Sequence, residues 1–589
     1  MYEPKMSAQV NSGSIRDVSE TVLLGKESYP WTFFGPVESS TMNRINTEIK
    51  QVVAQKKAKW MMEGGIEQEW NDYEATGSSD NFRECERMSM TDYKERYRPQ
   101  FHFTPATQWM NDPNGLVFFE GEYHLFYQFH PDGTTWGPIH WGHAVSTDLV
   151  NWEHLPIALF PDQHGYIFSG SAVVDWNDTT GFFSGIPGLV AIFTHAGTYP
   201  DSDRPRQRQS LAYSTDKGRT WTMYEGNPVL SDKQIVDFRD PKVFWYENSS
   251  RWVMSIAAGD RIRFYTSENL KEWSFASEFG AKEGSHDGVW ECPDLIELPI
   301  KGESNRTKWV LIVSIGDHAD MLEGSRTQYF IGDFDGTIFT NNSSPDTILW
   351  LDHGRDNYAG VTWSDSNALG KEKLFIGWMS NWKYANITPT DGWRSAMTIP
   401  RVLTLREEPE GLCLIQTPIP AMRTLRNQLH RLEHVAIQST HNLLVDLQAE
   451  LYEIELEIER GSAAEFGLKT RTSEREETII GYDAVNNALF IDRSNSGDTS
   501  FHNQFACKHS APLMLNNEKI KLHIFVDQSS VEVFANDGKL VLTDQIFPDP
   551  SSTGLELYAI SGEAKLISMS LYTMESMYTT NRSRVMNRS

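Results

Sequence analysis

The chain has 589 residues, too many for one compact core, so two folded units plus an extension are expected. With 39% hydrophobic and 23% charged residues the composition is globular, and no run of eighteen apolar residues is present to span a membrane. A formal net charge of -27 disfavours nucleic acid and anionic membranes as partners and suits a neutral substrate such as a sugar.

Residues 1–95 differ in texture from the rest. Ser40-Thr41 form an N-cap signal, Met42, Ile45, Ile49, Trp60 and Met61 approximate one helical face, and Gly64-Gly65 end it. A partly helical extension without a catalytic pattern is expected. The start, Met1 to Lys5, lacks a basic region followed by an apolar stretch, so no secretory signal is expected and the compartment, secreted or cytoplasmic, stays open. Cys85, Cys292, Cys413 and Cys507 form no CxxC pair and need no disulfide framework.

From about residue 96 the pattern turns all-β, with short apolar or alternating runs such as Glu122–Gln128, Leu189–Thr194 and Trp309–Ser314 between Gly, Asn, Asp and Pro. A loose repeat of strand, polar turn and aromatic ends at Trp152, Trp221, Trp273 and Phe339, which stand 69, 52 and 66 residues apart. Roughly 60 residues per unit over about 300 residues predicts five four-stranded blades, a β-propeller over 96–410. A β-sandwich is expected over 425–578. There Tyr452, Ile454, Leu456 and Ile458 alternate with Glu453, Glu455, Glu457 and Glu459, and Asp537-Gly538 marks a tight turn.

No Walker A loop, GxSxG elbow or HExxH motif occurs. His140 and His143 lack a third ligand nearby and read as packed residues, so neither metal nor cofactor is expected. Acids in unusual settings stand out instead. Asp112 lies between Asn111 and Pro113, in a turn that Pro113 and Gly115 would stiffen. Asp240 lies between Arg239, which favours its ionised form, and Pro241. Glu291 lies between Trp290 and Cys292, an apolar setting that favours a protonated acid. One ionised and one protonated carboxyl are the minimum for glycoside hydrolysis, and propeller blades could bring these distant acids to one central pocket.

Trp109-Met-Asn-Asp-Pro-Asn-Gly115, Arg239-Asp240-Pro241 and Glu291-Cys292, in that order, resemble the three signatures of glycoside hydrolase family 32, the invertase, inulinase and levanase family. The resemblance spans about residues 98 to 575. Stretches such as His140–Val145, Ile167–Ala172 and Gly377–Ala385 are most similar to its levanases and exo-inulinases. It implies a five-bladed propeller followed by a β-sandwich, with Asp112 as nucleophile, Glu291 as acid/base and Asp240 as transition-state stabiliser. It also implies that Asn111, Gln128, Trp136, Phe168, Ser169, Arg239, Tyr358 and Trp378 line a fructose pocket, although Asn357 stands where an aromatic is usual. The implied partner is a fructan or sucrose. The implied reaction is retaining release of terminal fructosyl units, without a cofactor. A sucrose-preferring invertase or a fructosyltransferase would share this trio. A silent fructan-binding protein would be expected to have lost one of its acids, and all three are present.

Overall fold

The computed structural model describes residues 93–578 apart from residue 201, residues 304–305 and residues 366–371. The helical signals at Ser40 to Gly65 lie outside the described residues. Five antiparallel sheets follow one another along the chain, opening with the strands Gln108–Phe119, Tyr166–Asp175, Phe238–Tyr246, Trp290–Pro299 and Tyr358–Thr362. These five opening strands pack against one another in chain order, and the fifth packs against the first, so the sheets radiate from a closed ring. Trp393–Arg394 completes the closure by pairing in parallel with Gln108–Trp109. The fifth sheet ends with Gly411–Pro418, past the boundary expected at residue 410.

The aromatic repeat marks the same turn in four sheets. Trp152, Trp221 and Trp273 each directly precede a fourth strand and Phe339 opens one. Ser146, Ser214 and Ser267 accept backbone N–H groups within that turn, and Leu149, Lys217 and Leu270 take the positive φ it requires.

Each opening strand also carries a bulge near the same end. Between the paired positions Met110 and Pro113, Arg239 and Lys242, Glu291 and Asp294, and Tyr358 and Val361, two residues oppose one on the neighbouring strand. The second sheet has an extra residue, Ser169, between Phe168 and Gly170. Bulges free the ladder of one N–H and re-aim a side chain, so Pro241 and Pro293 are tolerated inside them. Asp112 therefore lies in a bulge within a continuous strand rather than in the turn expected from Pro113 and Gly115. Asp240, Cys292 and Ala359 hold positive φ of 62°, 47° and 51° at the bulges.

The C-terminal part, from Arg426 to Met574, is a β-sandwich. A six-stranded sheet runs in the order Arg426–Ile437, Ala564–Met574, Tyr452–Glu459, Lys519–Asp527, Ser530–Ala535, Leu540–Gln545. It faces a five-stranded sheet of Lys508–Pro512, Ala488–Asn495, Glu477–Asp483, Glu465–Thr472 and Gly554–Ile560. Ile454, Leu456 and Ile458 enter the shared core with Ile480, Leu489 and Val531. The acidic face is less solvated than the alternation implied, because Glu453 is buried between Arg426 and His523.

Buried charges tie the sandwich to the ring. Arg401, fully buried in the fifth sheet, donates to Asp352 Oδ2 (3.2 Å), Gln416 Oε1 (2.9 Å), Glu532 Oε2 (2.6 Å) and Thr543 Oγ1 (2.7 Å). Glu532 Oε1 accepts the Ile399 N–H and lies 2.9 Å from His102, whose other nitrogen is 2.7 Å from Asp527. Burial alone would lower His102, but the two carboxylates outweigh it and push the imidazole up to about 9. Replacing Arg401 by Met would strand two buried carboxylates, which costs about 3–5 kcal/mol. The expected result is a fall of that size in unfolding free energy by urea titration; an unchanged midpoint would refute the role given to this contact.

Candidate active site

Asn111 and Asp112 together oppose Gln128 in the first bulge. Trp109 Nε1 donates to Asn111 Oδ1 (2.8 Å), which turns the amide so that its Nδ2 donates to Asp112 Oδ1 (3.0 Å). The Ser169 hydroxyl, from the second bulge, donates to Asp112 Oδ2 (2.7 Å). Burial raises the Asp112 carboxyl above its ordinary range. The Ser169 and Asn111 hydrogen bonds oppose that rise, and the Glu291 charge adds to it.

Asp240 is fixed by its own N–H, which donates to Thr194 Oγ1 (3.1 Å), and by the Cys292 N–H, which donates to its Oδ2 (3.0 Å). Arg239 does not keep Asp240 ionised as expected from their adjacency. The guanidinium is committed to Glu291 Oε1 (3.1 and 2.8 Å) and to Asp237, and approaches Asp240 only to 3.9 Å. Burial therefore prevails over Arg239, and with the charges of Glu291 and Asp112 it raises Asp240 from 3.8 to about 7.

The setting of Glu291 also differs from expectation. Alternation along the strand sends Trp290 into the core, where its Nε1 donates to Ser285 O (2.9 Å). Glu291 faces polar partners instead: Arg239 at Oε1, and at Oε2 the Tyr358 hydroxyl, which donates to it. Burial and the neighbouring Glu291 charge hold that phenol well above its usual range, so it stays a donor. Cys292, expected to be an apolar neighbour of Glu291 and one half of a signature pair, joins the acids. Its thiol is 3.5 Å from Asp112 Oδ2 and 3.6 Å from Asp240 Oδ2. Burial and the three carboxyl charges hold it well above its ordinary range. Asp112, Asp240 and Glu291 thus meet across three sheets, with a thiol between two of them.

The family described as Glycosyl hydrolases family 32 N-terminal domain matches residues 102–418, and its C-terminal domain matches residues 421–573. The chain belongs to glycoside hydrolase family 32. A levanase of Bacillus subtilis is 55% identical over 494 residues, covering 83% of this chain and 72% of that protein. A levanase of Bacillus sp. strain L7 is 42% identical over 508 residues, covering 84% of this chain but only 54% of its own length. The exo-inulinase structure from Aspergillus awamori superposes with a TM-score of 0.76 at 38% identity, covering 83% of this chain and all of that one.

In this glycoside hydrolase the three acids stand together on the inner strands of the ring, and the groups around them fix their geometry. The other expected site residues divide into two groups. Asn111, Ser169, Arg239 and Tyr358 bond directly to the acids. Gln128 does not; it is buried and bridges Asn114 Oδ1 (3.2 Å) and Ile167 O (3.0 Å), joining the first two sheets. Trp136, 44% exposed, sets its ring edge-on to Phe168 at 6.2 Å. Trp378 is fully buried behind Trp109 (6.1 Å), Tyr358 (6.3 Å) and Trp382 (4.8 Å), so it props the wall and the half-buried Trp382 is the more accessible ring. Asn357 turns away to Asp352 (3.0 Å), so its departure from an aromatic affects the domain interface. Among the described residues Glu453, Glu455 and His523 lie close enough to share an ion, but Arg426 already bridges both carboxylates.

Because Asp240 binds its proton more tightly folded than unfolded, it makes stability fall as pH rises from 3.8 through about 7. Asp240→Asn removes that penalty and keeps an acceptor for the Cys292 N–H. The melting temperature of the variant relative to wild type should therefore climb between pH 4 and pH 8. A pH-independent difference would refute the raised carboxyl.

Proposed function

We propose that this glycoside hydrolase is a retaining β-fructosidase that removes terminal non-reducing β-D-fructofuranosyl units from levan, inulin and sucrose. The observation that carries the reading is Asp112, held by Ser169 and Asn111 and electrostatically coupled to Glu291. Hydrogen bonds to both oxygens orient the Asp112 carboxyl for attack on C2 of a fructosyl unit, while Glu291 protonates the departing oxygen. Both Glu291 oxygens accept hydrogen bonds from Arg239 and Tyr358, so once deprotonated the carboxylate is poised as base for the water that frees fructose. Asp240, with Arg239 beside it, holds sugar hydroxyls next to the reacting carbon. Burial and neighbouring charges raise the carboxyls of Asp112 and Asp240, so both hold their protons to higher pH than isolated acids do.

The names of the levanase and exo-inulinase relatives favour fructan over sucrose as the main substrate. Incubation with levan, inulin and sucrose separately should release fructose alone from the two polymers from the earliest times. Early oligosaccharides would mean internal cleavage, and kestoses from sucrose would mean transfer. Asp112→Asn should lower kcat by on the order of 10⁴-fold or more with an unchanged circular dichroism spectrum. Substantial residual turnover would name another nucleophile. Two inversions at C2 require the Asp112 and Glu291 carboxyls to stand about 5–5.5 Å apart in a crystal structure, as in other retaining enzymes.

A further inference from the structure

The sandwich carries a second set of chemically matched groups, remote in sequence from the trio. Cys507 precedes the strand Lys508–Pro512 and His509 lies two residues on, so both side chains project from the same face. Cys507 Sγ is 3.8 Å from His509 Nδ1, and His509 Nε2 is 2.8 Å from Asp544 Oδ2, on the strand Leu540–Gln545 of the opposite sheet. The second Asp544 oxygen accepts the Arg355 N–H (3.1 Å) and lies 3.4 Å from the Arg493 guanidinium. Asp544 is fully buried and His509 almost so, whereas Cys507 is partly exposed. The order is nucleophile, imidazole, orienting carboxylate, with only the nucleophile open to solvent.

We propose that Cys507 is a reactive thiol, a modification site that takes low-molecular-weight disulfides. His509 bears a positive charge because burial, which alone would lower it, is outweighed by Asp544, and the imidazole is pushed up to about 9. Burial alone would raise the Cys507 thiol, but the His509 hydrogen bond and the charges of Arg493 and His509 overcome it and lower the thiol below its ordinary value. The other two described cysteines move oppositely: Cys413 is raised, chiefly by burial, and Cys292 well raised. The Cys507 thiolate attacks one sulfur of a disulfide RSSR. The Cys507–S bond forms as the S–S bond of RSSR breaks, and RS⁻ leaves to take a proton from solvent. Asp544 stays ionised throughout and keeps the ring turned towards the sulfur.

Iodoacetamide labelling of the full chain, resolved by peptide mass spectrometry, tests the arrangement. Cys507 should be labelled faster than Cys413 at pH 7, with a rate midpoint below the ordinary thiol value of about 8.5. The advantage should vanish in urea. His509→Gln should slow labelling of Cys507 about tenfold at pH 7 and move the midpoint upward. Oxidised glutathione, used as the disulfide probe, should add one glutathionyl group at Cys507 that dithiothreitol removes. Should His509→Gln not fold, the wild-type profile decides alone. A midpoint at or above the ordinary value, labelling no faster than at Cys413, or no adduct at Cys507 would overturn the proposal.

Discussion

Three carboxyl groups driven into one buried pocket repel one another, and much of the ring is organised to hold them there. Left to side-chain freedom, Asp112, Asp240 and Glu291 would splay apart. The backbone prevents this by placing Asp112 and Asp240 inside bulges and Glu291 immediately before one. Positive φ at Asp240, Cys292 and Ala359 is strain of about 1–3 kcal/mol each, tolerated where surrounding structure over-determines it. Donors then answer the acids one by one: Ser169 and Asn111 for Asp112, the Cys292 amide for Asp240, Arg239 and Tyr358 for Glu291.

That over-determination comes from polar bonds running between sheets. Ser171 Oγ donates to Pro241 O (2.9 Å) and accepts the Val243 N–H (3.1 Å), fastening the second sheet to the third. Lys242 from the third, Asp294 from the fourth and Thr362 from the fifth meet in one buried cluster, with Asp294 accepting both the amide and the hydroxyl of Thr362. Trp363 Nε1 donates to His124 O (3.0 Å), returning the fifth sheet to the first. An apolar axis could slide. This one is pinned, because each displaced group would leave a buried polar partner unsatisfied.

Much of this was legible from residues alone. The aromatic at Trp152, Trp221, Trp273 and Phe339 is visible because a repeated turn imposes the same packing need in each sheet. The acids stood out because of their immediate neighbours: Pro113 and Gly115 near Asp112, Arg239 and Pro241 around Asp240, Trp290 and Cys292 around Glu291. What the residues hid were choices among partners distant in sequence. Adjacency paired Arg239 with Asp240, but only the fold reveals Glu291 as the better-placed acceptor. Trp290 and Glu291 are neighbours whose side chains point to opposite faces, so the apolar setting inferred for Glu291 belonged to the indole. Cys292 joins the acids through a backbone conformation that no pattern of residue types encodes. The Arg401, Glu532 and His102 network was equally invisible, since its members lie in three separate stretches of chain.

The parallel pairing of Trp393–Arg394 with Gln108–Trp109 has a bearing on how the molecule is made. A strand near the start of the ring waits for residues close to its end, so the closing contact forms only after four sheets and the first strands of the fifth have been synthesised. Until then the start of that strand, at Gln108 and Trp109, lacks its parallel neighbour and presents unpaired backbone groups to strands of other chains. Contacts so distant along the chain slow folding and lengthen the time for which that short edge stays open.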